Sequence, residues 1–229
     1  MGSNQKGKII VSKDGPYLVS GRIPLDEKII IADEQGHPYL WQDGEKYPDQ
    51  ENYALCRCGH SEKKPFCSGK HIEVNFDGAE TDSGEDFIER AEKTVGPELD
   101  LLDAEELCSG AGFCHRHGGT WENTEKSDDP ECKKLAIEQS CNCPSGRLVA
   151  CEKSGQKIEP EFEPSISVTE HKKLKVRGAL WVKGKVEIES GGGKKYEVRN
   201  RVTLCRCGQS NNKPFCDGTH IHDSNSKLK

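Results

Sequence analysis

Residues 205–220 read CRCGQSNNKPFCDGTH, and residues 56–71 repeat the pattern as CRCGHSEKKPFCSGKH. Each stretch places three cysteines and one histidine at the spacing C-x-C-x8-C-x3-H. Glycine and proline interrupt both stretches, and asparagine also interrupts the second, which leaves little apolar surface to hold a loop in shape. Thiolate and imidazole are strong metal ligands. The repeated pattern therefore predicts two metal centres.

The predicted ligands are the cysteines and histidines of this pattern: Cys56, Cys58, Cys67, His71, Cys205, Cys207, Cys216 and His220. Their spacing alone leaves two kinds of centre open. Three thiolates and one imidazole can close a structural zinc site, and the same donors can hold an iron–sulfur cluster. The C-x-C pair is tighter than the C-x2-C pair of most zinc sites, which favours the cluster.

Composition limits the possible fold and partners. Hydrophobic residues make up 32% of the 229 residues, which predicts small units stabilised by metal in place of one large core. The net charge of -6 argues against nucleic acid as a general partner, because phosphate binding needs a basic surface.

The sequence also predicts a cytoplasmic protein that does not enter the membrane. Residues 1–8 are polar and lack the apolar core of an export signal. No apolar run approaches the roughly 20 residues that cross a bilayer. Without an export signal, twelve clustered cysteines indicate metal binding in a reducing compartment.

The N-terminal and C-terminal parts of the chain also resemble each other outside the two ligand loops. Strand-favouring runs separated by turn signals fill residues 8–54 and 161–204. Residues 15–21 read GPYLVSG and residues 178–184 read GALWVKG. We expect a mostly β fold with small α content, built from two similar β-lobes related by a pseudo-two-fold axis. Each lobe would carry one metal-binding loop, and a small α/β cysteine-rich insert would lie between them.

The predicted boundaries are an N-terminal lobe (1–76), an acidic linker (77–107), a cysteine-rich segment (108–160) and a C-terminal lobe (161–229). The linker has twelve acids against Arg90 and Lys93, which is typical of a solvated connection. One helix is predicted in the cysteine-rich segment, with Asp129 as its N-cap and Pro130 in its first turn.

Both loops resemble the CDGSH iron–sulfur domain, a family that includes mitoNEET and has the pattern C-x-C-x2-[S/T]-x3-P-x-C-D-G-[S/A/T]-H. The second loop meets every fixed position, whereas the first has Ser68 for aspartate and Lys70 for a small residue. The resemblance implies one [2Fe–2S] cluster in each loop. Two cysteines would bind one iron, and the third cysteine and the histidine would bind the other.

A histidine ligand has redox consequences. Exchanging one of four thiolates for neutral imidazole makes a cluster less negative and easier to reduce, as in Rieske centres. Reduction should in turn favour protonation of the ligand histidine. We therefore expect proton-coupled electron transfer at His71 and His220 and cluster release in acid. Lys70 is expected to disfavour imidazolium at His71, so that the two centres have different potentials.

The middle segment resembles a divergent single-cluster ferredoxin-type domain through Cys108, Cys114 and Cys143. It lacks the C-x2-C-x2-C run of ordinary bacterial ferredoxins. A third iron–sulfur cluster, a zinc site and a set of buried thiols all remain open for residues 108–151. A fourth ligand would come from one of five other side chains: Cys132, Cys141, Cys151, His115 or His117.

These features predict an electron-transfer protein that is not an enzyme, since nucleophile–base pairs and phosphate loops are missing from the pattern. The alternatives are an iron–sulfur cluster donor or redox sensor, and a zinc-stabilised interaction module. Expected partners are a ferredoxin, a flavoprotein or an apo iron–sulfur acceptor. Such a partner would dock on a basic surface formed by Arg57, Lys63, Lys64, Lys70, Arg206 and Lys213. Two loops in one chain would let a monomer imitate the family's usual dimer.

Overall fold

The computed structural model describes residues 7–223 and 226–228. The N-terminal lobe contains β1 (Lys8–Val11), β2 (Tyr17–Ser20), β3 (Leu25–Ala32), β4 (Pro38–Lys46), β5 (Asn52–Leu55) and α1 (Lys70–Glu73). The middle region contains α2 (Phe87–Arg90), β6 (Glu92–Val95), β7 (Asp100–Asp103), α3 (Thr120–Glu125), α4 (Pro130–Asn142), β8 (Leu148–Cys151) and β9 (Lys157–Ile158). The C-terminal lobe contains β10 (Ser165–His171), β11 (Val176–Lys183), β12 (Glu187–Ser190) and β13 (Arg201–Leu204).

The two lobes exchange strands. One sheet has the order β12-β1-β2-β5 and the other has the order β13-β11-β10-β3-β4. β12 of the C-terminal lobe pairs in parallel with β1, and β3 of the N-terminal lobe pairs in parallel with β10. The two orders coincide when β1, β2, β3 and β5 are matched with β10, β11, β12 and β13. This correspondence agrees with the predicted pair of similar β-lobes.

The larger of two apolar clusters among the described residues joins both lobes and the middle region, and a small second cluster lies around Leu99, Ala136 and Ala150. The larger cluster includes Ile9 and Val19 of one sheet, Ile166 and Leu180 of the other, and Val149 of the middle region. The prediction of separate small cores is therefore wrong. Because each sheet contains strands of both lobes, apolar side chains from both lobes pack in the same core. A modest share of hydrophobic residues is therefore enough to form it.

The acidic stretch 77–107 is not a solvated linker over its second half. β6 and β7 pair with each other, and β7 pairs with β8, which gives a sheet of order β6-β7-β8-β9. The acids of β7 are neutralised: Asp100 pairs with Lys93 and Lys153, and Asp103 pairs with Arg147. The prediction of a solvated linker compared acids and bases within residues 77–107 alone. Two of the three basic partners, Arg147 and Lys153, lie outside that range.

The predicted helix is confirmed as α4. The Asp129 carboxylate accepts hydrogen bonds from the backbone N–H groups of Glu131 at 2.8 Å and Cys132 at 3.3 Å. The helix ends at Asn142, which leaves Cys143 directly beyond its last turn. Within residues 7–223 and 226–228, no helix has both the length and the apolar character needed to cross a bilayer.

Candidate metal centres

Each ligand loop leaves a strand at the edge of its sheet and folds back onto it. β5 leads into residues 56–71, and β13 leads into residues 205–220. In the first loop the Cys56 N–H donates to the Pro65 carbonyl at 2.8 Å, and the Cys67 N–H donates to the Ala54 carbonyl at 2.8 Å. The second loop repeats both bonds at 2.9 Å. This fold-back brings the third cysteine of each loop toward the first two.

The ligand atoms of each loop form two close pairs. In the first loop, the sulfurs of Cys56 and Cys58 are 3.9 Å apart, and the Cys67 sulfur is 3.4 Å from His71 Nδ1. The second loop has 3.6 Å between Cys205 and Cys207 and 3.3 Å between Cys216 and His220. Two sulfurs at about 2.3 Å from one tetrahedral metal lie about 3.8 Å apart. Each pair thus has the spacing of two ligands on one metal.

The pairs remain distinct from each other. Within the described part of the chain, no three cysteine, histidine or acidic side chains converge as ligands of a single ion. A closed zinc site needs four ligands around one ion, whereas a binuclear cluster needs one pair for each of its two metals. Each loop therefore presents its four donors as two separate pairs.

The first cysteine of each loop is prepared for metal binding, whereas the pKa of the second, Cys58 or Cys207, is raised by its hydrogen bond with the first. A hydrogen bond from Cys58 lowers the pKa of Cys56 to about 6, and a hydrogen bond from Cys207 lowers the pKa of Cys205 to about 6. Because thiolate is the form that binds metal, each metal-free loop presents one ready ligand near neutral pH.

Asp217 and Ser68 close the two loops in related ways. The Asp217 carboxylate accepts from the backbone N–H groups of Asn211 at 2.8 Å and Thr219 at 3.0 Å. Burial would raise the pKa of Asp217, but these hydrogen bonds outweigh it and lower that pKa. The Ser68 hydroxyl accepts one such bond, from the Glu62 N–H at 3.3 Å. Ser68 therefore accepts one backbone hydrogen bond where Asp217 accepts two, and it carries no negative charge.

Burial distinguishes the two Cys–His pairs. Cys216 and His220 are 2% and 5% exposed, whereas Cys67 and His71 are only half-buried. Burial, with the nearby charge of Arg206, lowers the pKa of His220 to about 4. The C-terminal pair is thus an interior site and the N-terminal pair lies near the surface.

Lys70 does not present a free charge to His71. Its ammonium lies 2.6 Å from the Glu73 carboxylate and 3.6 Å from the Glu62 carboxylate. The hydrogen bond with Glu73 raises the pKa of Lys70 and keeps it charged. Two carboxylates accompany this charge and should weaken its effect on His71, and the difference between the two potentials stays a prediction.

Arg57 and Arg206 are interior residues and cannot form a docking surface as predicted. They are 2% and 7% exposed. Their guanidinium groups donate to backbone carbonyls of neighbouring segments, namely Ser12 and Gly78 for Arg57, and Thr169 and Gly178 for Arg206. Of the predicted basic set, Lys63 is exposed, whereas Lys64, Lys70 and Lys213 are half-buried. The two arginines fasten the loops to the lobes.

The two loops touch each other across the lobe boundary. A Cβ atom on Gly208 would lie 2.8 Å from the Cys58 carbonyl oxygen, and one on Gly59 would overlap the Cys207 carbonyl. Both glycines have positive φ, at +83° and +81°. Glycine is needed at both positions for the conformation and for the close approach.

The three cysteines selected by resemblance in the middle region are neighbours. Burial, followed by the charges of Cys143 and Cys108, raises the pKa of Cys114 to about 12. Arg147 pairs with Asp103, and although burial lowers the pKa of Arg147, Asp103 and the nearby Cys108 together raise it. Ala111 occupies the place where a C-x2-C-x2-C run has its middle cysteine. Cys143 and Cys108 thus lie near enough to Cys114 to affect its pKa, but within the described residues no three such side chains converge on one ion.

The candidates for a fourth ligand have other contacts. The Cys141 sulfur lies 3.9 Å from the Ile158 carbonyl, and the Cys151 sulfur lies 3.8 Å from the Val149 carbonyl. Burial raises the pKa of both thiols, as expected for cysteines used as small apolar residues. Of the remaining candidates, Cys132 is a half-buried residue of α4. The His115 ring lies next to Trp121, and the His117 ring lies next to Arg116.

Two residues that support the sites have no sequence signal. The Tyr17 hydroxyl donates to the carbonyls of Cys205 at 2.7 Å and Pro214 at 3.1 Å. Arg201 donates to the Cys143 carbonyl at 2.7 Å and ties the middle region to β13. Tyr17 is 188 positions from Cys205, so neither spacing nor local pattern could have revealed this contact.

Comparison with known families agrees with these sites. Residues 14–72 and 177–221 match the family described as iron-binding zinc finger, CDGSH type. Residues 94–153 match the family described as divergent 4Fe-4S mono-cluster. No curated protein and no solved structure matches the chain. All eight predicted loop ligands, together with Cys108, Cys114 and Cys143, lie inside the matched regions. The chain is thus a CDGSH iron–sulfur domain protein in which tandem CDGSH loops flank a divergent ferredoxin-type segment.

Proposed function

We propose that the chain is an electron-transfer protein that holds one [2Fe–2S] cluster in each CDGSH loop. The observation that carries this proposal is the division of each ligand set into two pairs, Cys–Cys and Cys–His, at 3.3 to 3.9 Å. Such a cluster supplies a one-electron redox couple. The four ligands of each loop would bind and orient it, and the imidazole would make it less negative than four thiolates would.

Proton coupling at His71 and His220 is part of the proposal. In both loops the histidine Nδ1 lies beside the sulfur of the third cysteine, so Nδ1 would be the nitrogen that binds the metal. Nε2 is then the nitrogen left to exchange a proton. His71 is half-buried and His220 is buried, so proton exchange with solvent is expected to be easier at the N-terminal loop.

A third iron–sulfur centre is proposed in the middle region, held by Cys108, Cys114 and Cys143. The support is the match to a mono-cluster family, together with the effect of Cys143 and Cys108 on the pKa of Cys114. Ala111 in the middle position leaves the set one cysteine short of the usual four. Arg147 beside Cys108 would offset negative charge at this centre.

An external redox partner is expected at the N-terminal loop. There, Cys67 and His71 are half-buried, and a Cβ atom on Gly69 would meet no atom within 4 Å. A ferredoxin or flavoprotein could approach this side closely. We propose that the chain relays electrons and is not itself a catalyst. We also propose that it works in a reducing cytoplasm as a monomer whose two lobes form an internal pseudo-dimer.

The second candidate function is donation of a cluster to an apo iron–sulfur acceptor, or redox sensing through cluster loss. The accessibility of the Cys67–His71 pair favours it, because partly exposed ligands are open to an attacking thiol. Mixing the holo protein with an apo-ferredoxin separates the two functions. A cluster spectrum on the acceptor would support donation, and its lack would support electron relay.

Iron and acid-labile sulfide analysis, together with an absorption spectrum, tests the first proposal. The triple variant Cys108→Ser, Cys114→Ser, Cys143→Ser should retain four iron and four sulfide per chain, and the unaltered chain should hold more of both. His60→Gln is a matched control, since Gln209 occupies the equivalent place, and it should change neither count. A colourless protein containing zinc would contradict the proposal.

A further inference from the structure

Each ligand histidine is followed by an isoleucine, and the two isoleucines have the same local backbone. The Ile72 N–H donates to the Gly69 carbonyl at 3.1 Å, and the Ile221 N–H donates to the Gly218 carbonyl at 3.0 Å. Both glycines have φ of +83°. The two isoleucines therefore occupy equivalent places, and any difference in their exposure comes from what lies against them.

The middle region covers the isoleucine of the C-terminal loop. Gly110 lies so close to the Ile221 side chain that it has no room for a Cβ atom. Its φ of +66° is a second reason for glycine at this position. A Cβ atom on Gly218 would lie 3.2 Å from the Cys108 carbonyl oxygen. The turn that follows Cys108 is thus the cover of this loop end.

The N-terminal loop lacks such a cover. Ile72 is 74% exposed, and a Cβ atom on Gly69 would meet no atom within 4 Å. A single exposed isoleucine is common on protein surfaces and indicates nothing by itself. Here, however, the equivalent side chain shows which kind of segment covers the same place, namely a glycine turn that carries a cysteine.

The charges beside the two isoleucines also differ. In the C-terminal loop, the Asn212 amide donates to the Glu106 carbonyl of the covering segment at 3.2 Å. Lys63 holds the place of Asn212 in the first loop and is exposed, and among the residues that the structure describes no carboxylate pairs with it. Two neighbouring carboxylates pair with Lys70 instead. An acidic residue on a covering segment would therefore complement Lys63.

We infer that the N-terminal loop is a docking site for a ferredoxin-type protein that presents a glycine-containing cysteine loop preceded by acidic residues. The glycine lies on Ile72 and a carboxylate pairs with Lys63. The segment that covers the C-terminal loop is itself of this kind: it follows two glutamates and belongs to the residues that match the mono-cluster family. A second copy of this chain is a poorer occupant, because its Gly110 already lies on its own Ile221.

This inference deepens the proposed function and rests on it, because it specifies the partner that meets the N-terminal loop. Saturation-transfer difference NMR of the holo protein tests the docking, since this method detects weak complexes in rapid exchange. The probe is a synthetic peptide of residues 104–112 (AEELCSGAG) that carries Cys108→Ser, so that it neither binds iron nor forms disulfides. The unaltered chain should transfer saturation to this peptide.

Variants of the protein locate the docking site. Ile72→Glu should weaken peptide binding about tenfold, because the apolar contact is lost. Ile88→Glu changes another exposed isoleucine and should leave the signal unchanged. Lys63→Gln should weaken binding about two- to fivefold and reduce its dependence on salt.

Variants of the peptide test the complementary side. Gly110→Val should abolish the signal, because a side chain at this position has no room beside the isoleucine. Replacing Glu105 and Glu106 by glutamine should weaken binding as Lys63→Gln does. The combination of the glutamine peptide with Lys63→Gln should then cost little more than either change alone.

Iron and sulfide counts separate the docking from the proposed function. If the loops keep their iron but the signal is missing, or is equally weak in Ile72→Glu and Ile88→Glu, the docking site is wrong and the proposed function stands. A dimer in sedimentation that Ile72→Glu disrupts would assign this surface to a second copy and overturn the inference. Loops without iron would overturn both.

Discussion

Residues 56–71 and 205–220 have the same ligand spacing, the same two fold-back hydrogen bonds and the same positive φ at Gly69 and Gly218. Their surroundings differ. The C-terminal pair Cys216 and His220 lies in the interior against the middle region, whereas the N-terminal loop has no such neighbour at Gly69.

The comparison shows that the loops become unequal through packing. The two departures of the first loop from the family pattern, Ser68 and Lys70, have modest effects in the fold. Ser68 keeps one loop-closing hydrogen bond, and Lys70 is neutralised by Glu73 and Glu62. We therefore expect accessibility to distinguish the two centres more strongly than these substitutions do.

The largest effect is expected where the loops touch. Gly59→Ala should destabilise the holo protein by about 3 kcal/mol or more, because strain at positive φ adds to overlap with the Cys207 carbonyl. Gly69→Ala carries similar strain without overlap and should cost about 1–2 kcal/mol. Urea unfolding measures both. Equal losses would mean that the loops do not meet as described.

A smaller, loop-specific effect is expected from Tyr17→Phe. This change removes the hydroxyl donor from the Cys205 carbonyl and leaves the Pro214 carbonyl with the Cys205 N–H alone, which should cost about 2 kcal/mol. Iron release to a chelator should quicken at the C-terminal loop alone. Tyr53→Phe removes a buried hydroxyl bond to Ile23 and is the matched control. Faster release from the N-terminal loop in Tyr17→Phe would contradict this role.

Acid should release the two centres in order. In the metal-free chain the pKa of His220, about 4, lies below the usual value of about 6.5. A histidine with a lowered pKa stabilises the folded state fully above about pH 6.5, and this contribution is lost as pH falls toward about 4. In the holo protein, protons compete with iron for the imidazole.

Since His71 is half-buried, the N-terminal centre should be lost first as the pH is lowered from neutral to about 5. Stopped-flow absorbance at each pH, with one loop removed by cysteine-to-serine substitution, identifies the centre that is lost. Loss of the C-terminal centre first would contradict the role given to burial.

The smallest effect is expected from Lys70→Gln. Two carboxylates already offset this charge, and exposed ion pairs contribute little. The potential of the N-terminal centre should shift far less than it does in His71→Cys. Potentiometric titration measures both variants. A shift as large as that of His71→Cys would restore Lys70 as the source of the inequality.

The sequence was informative where the signal is local. The spacing of Cys56, Cys58, Cys67 and His71 predicted a set of donors that the fold does bring into pairs. Asp129 was identified as a helix cap because capping depends on residues only two or three positions away. The strand runs were found by the same kind of local pattern.

Features that depend on distant residues were missed. The exchange of β3 and β12, the burial of Arg57 and the hydrogen bond from Tyr17 to Cys205 all join positions far apart in the chain. The sequence did not predict β7 as a strand, because the lysine and arginine side chains that pair with its acids lie outside the strand. No periodicity or spacing encodes which strand of one lobe completes the sheet of the other.

Mössbauer spectroscopy of the ⁵⁷Fe-labelled triple variant Cys108→Ser, Cys114→Ser, Cys143→Ser tests the central claim most directly, because only the two loops can then bind cluster iron. We predict two ferric environments in equal amounts, one with two cysteine ligands and one with a cysteine and a histidine. A single iron environment, or a protein without iron, would contradict the assignment of a binuclear cluster to each loop.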